Sequence, residues 1–109
     1  MKILVCGGRT YTNAQRLFAE LDKHNPTHII CGGASGADTI SVQYAKKHGI
    51  KCTIYFPDWT NYGISAGTKR NTAMLEEKPD LVIATTGGPG TADMVRKSEK
   101  ANFKVIRIP

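Results

Sequence analysis

Three glycine pairs, Gly7-Gly8, Gly32-Gly33 and Gly87-Gly88, each stand directly behind a run of strand-forming residues, KILVC, HIIC and DLVIATT. With Gly36 and Gly90 they use eight of the eleven glycines. A residue without a Cβ lets backbone N–H groups turn inward and approach a ligand closely. Where such a turn opens a helix, the free amides and the helix dipole favour a phosphate. The residues beside the glycines are of types that handle anions. Arg9 follows the first pair with a guanidinium suited to bidentate phosphate contact; otherwise it is a solvent-facing turn residue. The second run, Gly32-Gly33-Ala34-Ser35-Gly36-Ala37-Asp38, offers amides and the Ser35 hydroxyl. Asp38 there complements the helix dipole, fixes the loop, or accepts a bond from a ribose hydroxyl. The third run, Gly87-Gly88-Pro89-Gly90-Thr91, leads into a helix with Thr91 at or near its cap.

A fourth segment, Asp58–Asn71 (DWTNYGISAGTKRN), reads as a long polar loop running into a helix. Connections between strands and helices are usually about two to six residues, and longer ones tend to be functional. Trp59 and Tyr62 either stack on a base or pin the loop to the body. Lys69 and Arg70 are expected at a helix start, where cations oppose the dipole, which points to an anionic partner. Asn71 can donate or accept beside them. No catalytic nucleophile is evident, since Ser35 lacks the G-x-S-x-G context and the histidines fall at element ends. A P-loop is absent, and Gly88-Pro89-Gly90 lacks the third glycine of the dinucleotide fingerprint, with Asp93 in its place. No cofactor is expected, and Cys6, Cys31 and Cys52 lack metal-ligand spacing and read as buried thiols.

The 109 residues suit one domain, residues 1–109. No apolar stretch approaches the roughly 18 residues needed to span a membrane. A strand beginning at the second residue leaves no room for a secretory leader, so a cytoplasmic location is expected. The net charge of +6 invites a nucleic-acid reading, but the lysines are scattered and no aromatic-rich basic stripe accompanies them.

Positioning the glycine loops requires alternating strands and helices. Strands are expected at Ile3–Cys6, His28–Cys31, Cys52–Phe56, Leu81–Thr85 and Val105–Ile108, nearly continuously apolar or β-branched, as in parallel strands covered on both faces. Helices are expected at about Asn13–His24, Ala37–His48, Gly67–Glu77 and Thr91–Ala101. The result is an α/β fold, a doubly wound parallel sheet of five strands and four main helices. Right-handed crossovers favour the order 3-2-1-4-5, with one switch point between the first and fourth strands. The three glycine pairs then converge on one crevice.

The motifs GGR, GGASGAD, DWTNYGISAGTKRN and GGPGTADM resemble, across essentially the whole chain, the YspA-type proteins of the SLOG superfamily. More distantly they are similar to the cytokinin-activating phosphoribohydrolases and to the DNA-uptake protein DprA. The resemblance implies a Rossmann-like fold that senses, processes or sequesters nucleotides, with some members in phage or mobile-element settings. It also encourages a homo-oligomer. Arg70 and Met74 fit the phosphoribohydrolases' R-x-x-x-M, and Gly87, Gly88, Gly90 and Thr91 fit their G-G-x-G-T-x-x-E, but Met94 stands at the glutamate position. A methionine neither stabilises an oxocarbenium ion nor activates water. Asp93 is turned about 100° away on a helix, which leaves Asp38 as the substitute carboxylate.

The expectation is therefore a binding module for a nucleotide or nucleotide-derived ligand, of the ADP-ribose or nucleoside-monophosphate kind. An N-glycosidic hydrolase using Arg70 with Asp38 or Asp93 comes second, and single-stranded nucleic-acid binding third.

Overall fold

The computed structural model describes residues 1–109. Five strands, β1 (Lys2–Cys6), β2 (His28–Cys31), β3 (Lys51–Ile54), β4 (Leu81–Ala84) and β5 (Val105–Arg107), form one sheet in the order β3-β2-β1-β4-β5. Every pairing is parallel, and Leu4 at the centre faces Ile30 on one side and Val82 on the other. The four helices expected are present: α1 (Ala14–Asp22), α2 (Ala37–His48), α4 (Ala66–Leu75) and α5 (Pro89–Lys100). A single turn, α3 (Trp59–Tyr62), and a 3-10 turn (Gly63–Ser65) precede α4. This is the Rossmann-like α/β architecture, with β1 and β4 meeting at the switch point.

The unbroken apolar strands reflect burial on both faces. Ile3, Val5, Ile29 and Ile83 point toward α1 and α2, where Leu17, Leu21, Ile40 and Tyr44 cover them. Leu4, Ile30 and Val82 point the other way, under Met74 of α4 and Met94 and Val95 of α5. Helix ends follow local chemistry. The Asn13 side chain accepts from Arg16 N at 3.1 Å and caps α1, and Gly49, left-handed at φ +64°, stops α2. No helix is long and apolar enough to cross a membrane.

Several boundaries differ from expectation. β3 ends at Ile54, although Tyr55 N still donates to Cys31 O at 2.9 Å, and Phe56 beyond it lies with its ring against Gly33, 70% exposed. The segment expected as a polar loop is mostly helical turns, nucleated at Asp58, whose carboxylate accepts from Asn61 N at 3.2 Å. Lys69 and Arg70 consequently sit fourth and fifth in α4, beyond the first turn where the dipole acts. Helix α5 starts two residues early, since Pro89 suits the first helical position, so Gly88 is the cap and Thr91 the third residue. Cys6 and Cys31 are buried as expected, whereas Cys52, on the edge strand, is half-buried.

Candidate functional site

A cleft of about 1290 Å³ opens at the carboxyl ends of β1, β2 and β4. The loop after β1 supplies Gly7, Gly8 and Arg9, and the loop after β2 supplies Gly32, Gly33, Ala34 and Ser35 with Asp38 behind them. The loop after β4 adds Gly87, Gly88, Gly90 and Thr91, while α3 and α4 contribute Trp59, Arg70 and Asn71. The loops hold one another. Gly8 N donates to Thr86 O at 3.0 Å, Ala37 N to Gly8 O at 3.2 Å, and the Ser35 hydroxyl to Arg9 O at 3.0 Å.

The glycines fall into two classes. A Cβ on Gly7 would lie 1.9 Å from Thr85 Oγ1, and one on Gly36, where φ is +72°, 2.2 Å from Gly8 O. At Gly87 it would meet Thr91 Oγ1 at 2.2 Å, and at Gly32 the Arg70 guanidinium at 2.3 Å. These glycines let protein approach protein. Gly88 and Gly90 are different, with nothing within 4 Å of the added atom and no positive φ. Neither the backbone nor packing requires glycine there, and both line the cleft. The first intrahelical bond of α5 runs from Ala92 N to Gly88 O at 3.0 Å, so the Gly90 and Thr91 amides lie among those without an intrahelical partner.

Arg70 is the cross-brace of the site. Its Nη1 donates to Gly32 O and, at 3.4 Å, to Tyr55 O, and its Nε donates to Asn71 Oδ1 at 3.1 Å. Asn71, buried, passes the connection on through Nδ2 to Gly90 O and Asp93 Oδ2, both at 3.1 Å. One chain of contacts thus joins the second glycine loop to the third. Asp93 is further held by Arg96 at 2.8 Å and Lys97 at 3.0 Å.

Residues 1–62 match a family model described as the YspA, cpYpsA-related SLOG family. That is more than half of the 109-residue chain. The chain belongs to this SLOG family. No curated protein matches it at a significant level. The matched residues include the first two glycine loops and Trp59; Arg70, Asn71 and the Gly87–Thr91 loop reach this SLOG cleft through the fold.

The two buried carboxyls of the SLOG cleft are pushed in opposite directions. Burial raises the pKa of Asp38, and the amides of Ala34 and Gly32 and the Arg70 charge offset this only in part. Its Oδ2 accepts from Ala34 N at 3.0 Å and it stands in the first turn of α2, so this geometry both fixes the loop and complements the helix dipole. Burial also opposes the charge on Asp93, but bonds from Lys97 and Asn71 and the Lys97 and Arg96 charges outweigh it and leave its pKa lowered. Asp93 therefore stabilises the fold fully above about pH 4, and that contribution is lost as pH falls through its lower folded pKa. In urea unfolding, Asp93→Asn is expected to be less stable than the parent at pH 7, with the gap closing toward pH 2. A gap constant with pH would contradict this. The Cys6 thiol, pushed up to about 12 chiefly by burial and then by Asp38, is no nucleophile.

Three residues expected in the site do not line the cleft. Gly36 is spent on the contact with Gly8 and Arg9. Tyr62 and Lys69 pair with each other instead, the ammonium 4.9 Å above the ring. In their place stand Phe56, Pro57 and Ile64. The only sequence signal for Ile64 was its apolar character inside a polar segment, and Phe56 and Pro57 gave none, standing at and just beyond the end of an expected strand. Met94 is fully buried in the core, so the position of the phosphoribohydrolases' glutamate does not face the cleft. No group of three or more His, Cys, Asp or Glu side chains could hold a metal ion.

Proposed function

We propose that the protein binds a nucleotide or nucleotide-derived ligand, with phosphate at the start of α5. The observation that carries this reading is the pair Gly88 and Gly90, bare where nothing in the protein needs them bare. Unpaired amides at a helix start attract an anion. Helix α5 has no acidic residue in its first turn, whereas α2 has Asp38 there, so α5 is the better anion end of the two. Arg9, exposed and without a salt-bridge partner, lines the same cleft on the loop that Gly8 N ties to Thr86 O. Family membership supports nucleotide-related binding or processing in general terms.

Thermal shift with AMP, ADP-ribose and inorganic phosphate tests the reading. A one-site ligand at about 100 times its Kd is expected to add about 2.7 kcal/mol of stability. No shift with any of them, beside salt-sensitive binding of oligonucleotides, would favour nucleic acid instead.

A second reading is hydrolysis of the N-glycosidic bond of nucleoside 5′-monophosphates. It is favoured by Asp38, a buried carboxyl of raised pKa on the cleft wall within the field of Arg70. Chromatography of AMP incubated with the protein would show adenine release, abolished in Asp38→Ala. It ranks second because Asp93, the other candidate, is held by Asn71, Arg96 and Lys97.

A further inference from the structure

The segment between β3 and α4 concentrates the exposed apolar surface of the protein. Five large hydrophobic side chains are exposed in the whole chain, and four of them are Phe56, Trp59, Tyr62 and Ile64. Clustered exposed apolar groups at the rim of a cleft mark a binding surface. Phe56, Trp59 and Ile64 line the cleft, and Tyr62 does not. Both cleft-facing rings sit against glycine. The Phe56 ring lies so close to Gly33 that a Cβ there would be 2.6 Å away, and the Trp59 ring would meet one on Gly67 at 3.9 Å. A larger residue at 33 would displace the Phe56 ring and also strain a backbone whose φ is +74°. The cleft is thus polarised, with Arg9 and the bare α5 loop at one part and an apolar, aromatic wall at another.

We infer that this wall is the subsite for a planar unsaturated ring of the ligand, stacked on Phe56 and Trp59 with Ile64 against its edge. The inference rests on the phosphate reading above, which supplies the other end of the same molecule. Ring faces are bound by stacking whatever their edge groups. Of the cleft-lining residues at this wall, Phe56, Pro57, Trp59, Ile64, Gly67 and Thr68, only Thr68 and the Trp59 indole N–H can hydrogen-bond, and an indole stacked on a ring keeps its N–H in its own plane, directed away from that ring's edge. Affinity consequently follows ring area: purines bind better than pyrimidines, and adenine and guanine bind alike.

Trp59 is the only tryptophan, so its fluorescence reports on this wall alone. The probes are AMP, GMP, CMP, adenosine and ribose 5-phosphate, with affinities from calorimetry. AMP and GMP are expected to quench Trp59 and to bind within about threefold of each other, CMP more weakly, and ribose 5-phosphate at least about fivefold more weakly without quenching. Phe56→Ala and Trp59→Ala should each weaken AMP by about 5- to 150-fold and leave ribose 5-phosphate unchanged. Tyr62→Ala, on the same segment but off the cleft, should leave AMP within about twofold. All three side chains lie outside both core clusters, and an unchanged urea midpoint verifies folding.

Ribose 5-phosphate binding as tightly as AMP, with Trp59 undisturbed, would overturn the ring subsite and leave the phosphate reading standing. Adenosine binding as tightly as AMP, with quenching, would do the reverse. A preference of more than about tenfold between AMP and GMP would overturn selection by area. Truncations that change only the oligomeric state would assign the wall to a second copy of the chain, and binding of none of the probes would remove both readings.

Discussion

Gly36→Ala is expected to destabilise the protein by roughly 3 kcal/mol or more, while Gly90→Ala should leave it as stable or stabilise it by up to about 1 kcal/mol. At Gly36 two costs combine. Its φ of +72° with ψ of −124° is a conformation that a Cβ strains, and the new methyl would lie 2.2 Å from Gly8 O and 2.7 Å from Arg9 O. Those are backbone atoms, fixed by the Ala37 N–H bond to Gly8 O and by the Ser35 bond to Arg9 O. They cannot swing aside as a side-chain tip would. Gly90 is inside a helix with nothing within 4 Å, so alanine there only lowers the entropy lost on folding. Its methyl would nonetheless stand on the cleft wall beside the free amides, and AMP affinity should fall by about tenfold or more. Urea unfolding and calorimetry read the two effects separately. Equal destabilisation by both substitutions would sink the division of the glycines into packing and ligand classes.

Arg70→Ala should cost about 2 kcal/mol of stability and weaken AMP by about 10- to 100-fold. The guanidinium bridges Gly32 O, Tyr55 O and Asn71 Oδ1, so its removal strips charged donors from two loop carbonyls at once. Asn71 then loses one partner while still bonded to Gly90 O and Asp93, and the two glycine loops are no longer tied. Arg70→Lys is expected to restore little, because one ammonium cannot reproduce the planar fork that reaches two carbonyls and an amide. An Arg70→Lys variant with parental stability and affinity would show that charge alone matters, and that the cross-brace does not.

Much of this was readable along the chain. KILVC, HIIC and DLVIATT are apolar without alternation, as strands covered on both faces are, and the helix-length connections between them suit parallel pairing through crossovers. The order β3-β2-β1-β4-β5 follows, and with it the meeting of the glycine loops at the switch point. The Asp58–Asn71 segment was less legible. Its Trp, Asn, Tyr, Gly and Ser composition reads as loop, because single helical turns lack the period that reveals longer helices.

The glycine pairs therefore mark the cleft from sequence alone, since strand ends and turns are local properties. What each glycine is for was decided only in three dimensions. Whether a missing Cβ makes room for Thr85, for Gly8 O, for Arg70 or for nothing depends on atoms distant in sequence. The same holds for Arg70, whose partners at Gly32 and Tyr55 come from other loops, and for Phe56, whose exposure no local pattern announces. Local backbone preference set where the chain turns; long-range packing set which side chains and amides were left over to meet a ligand.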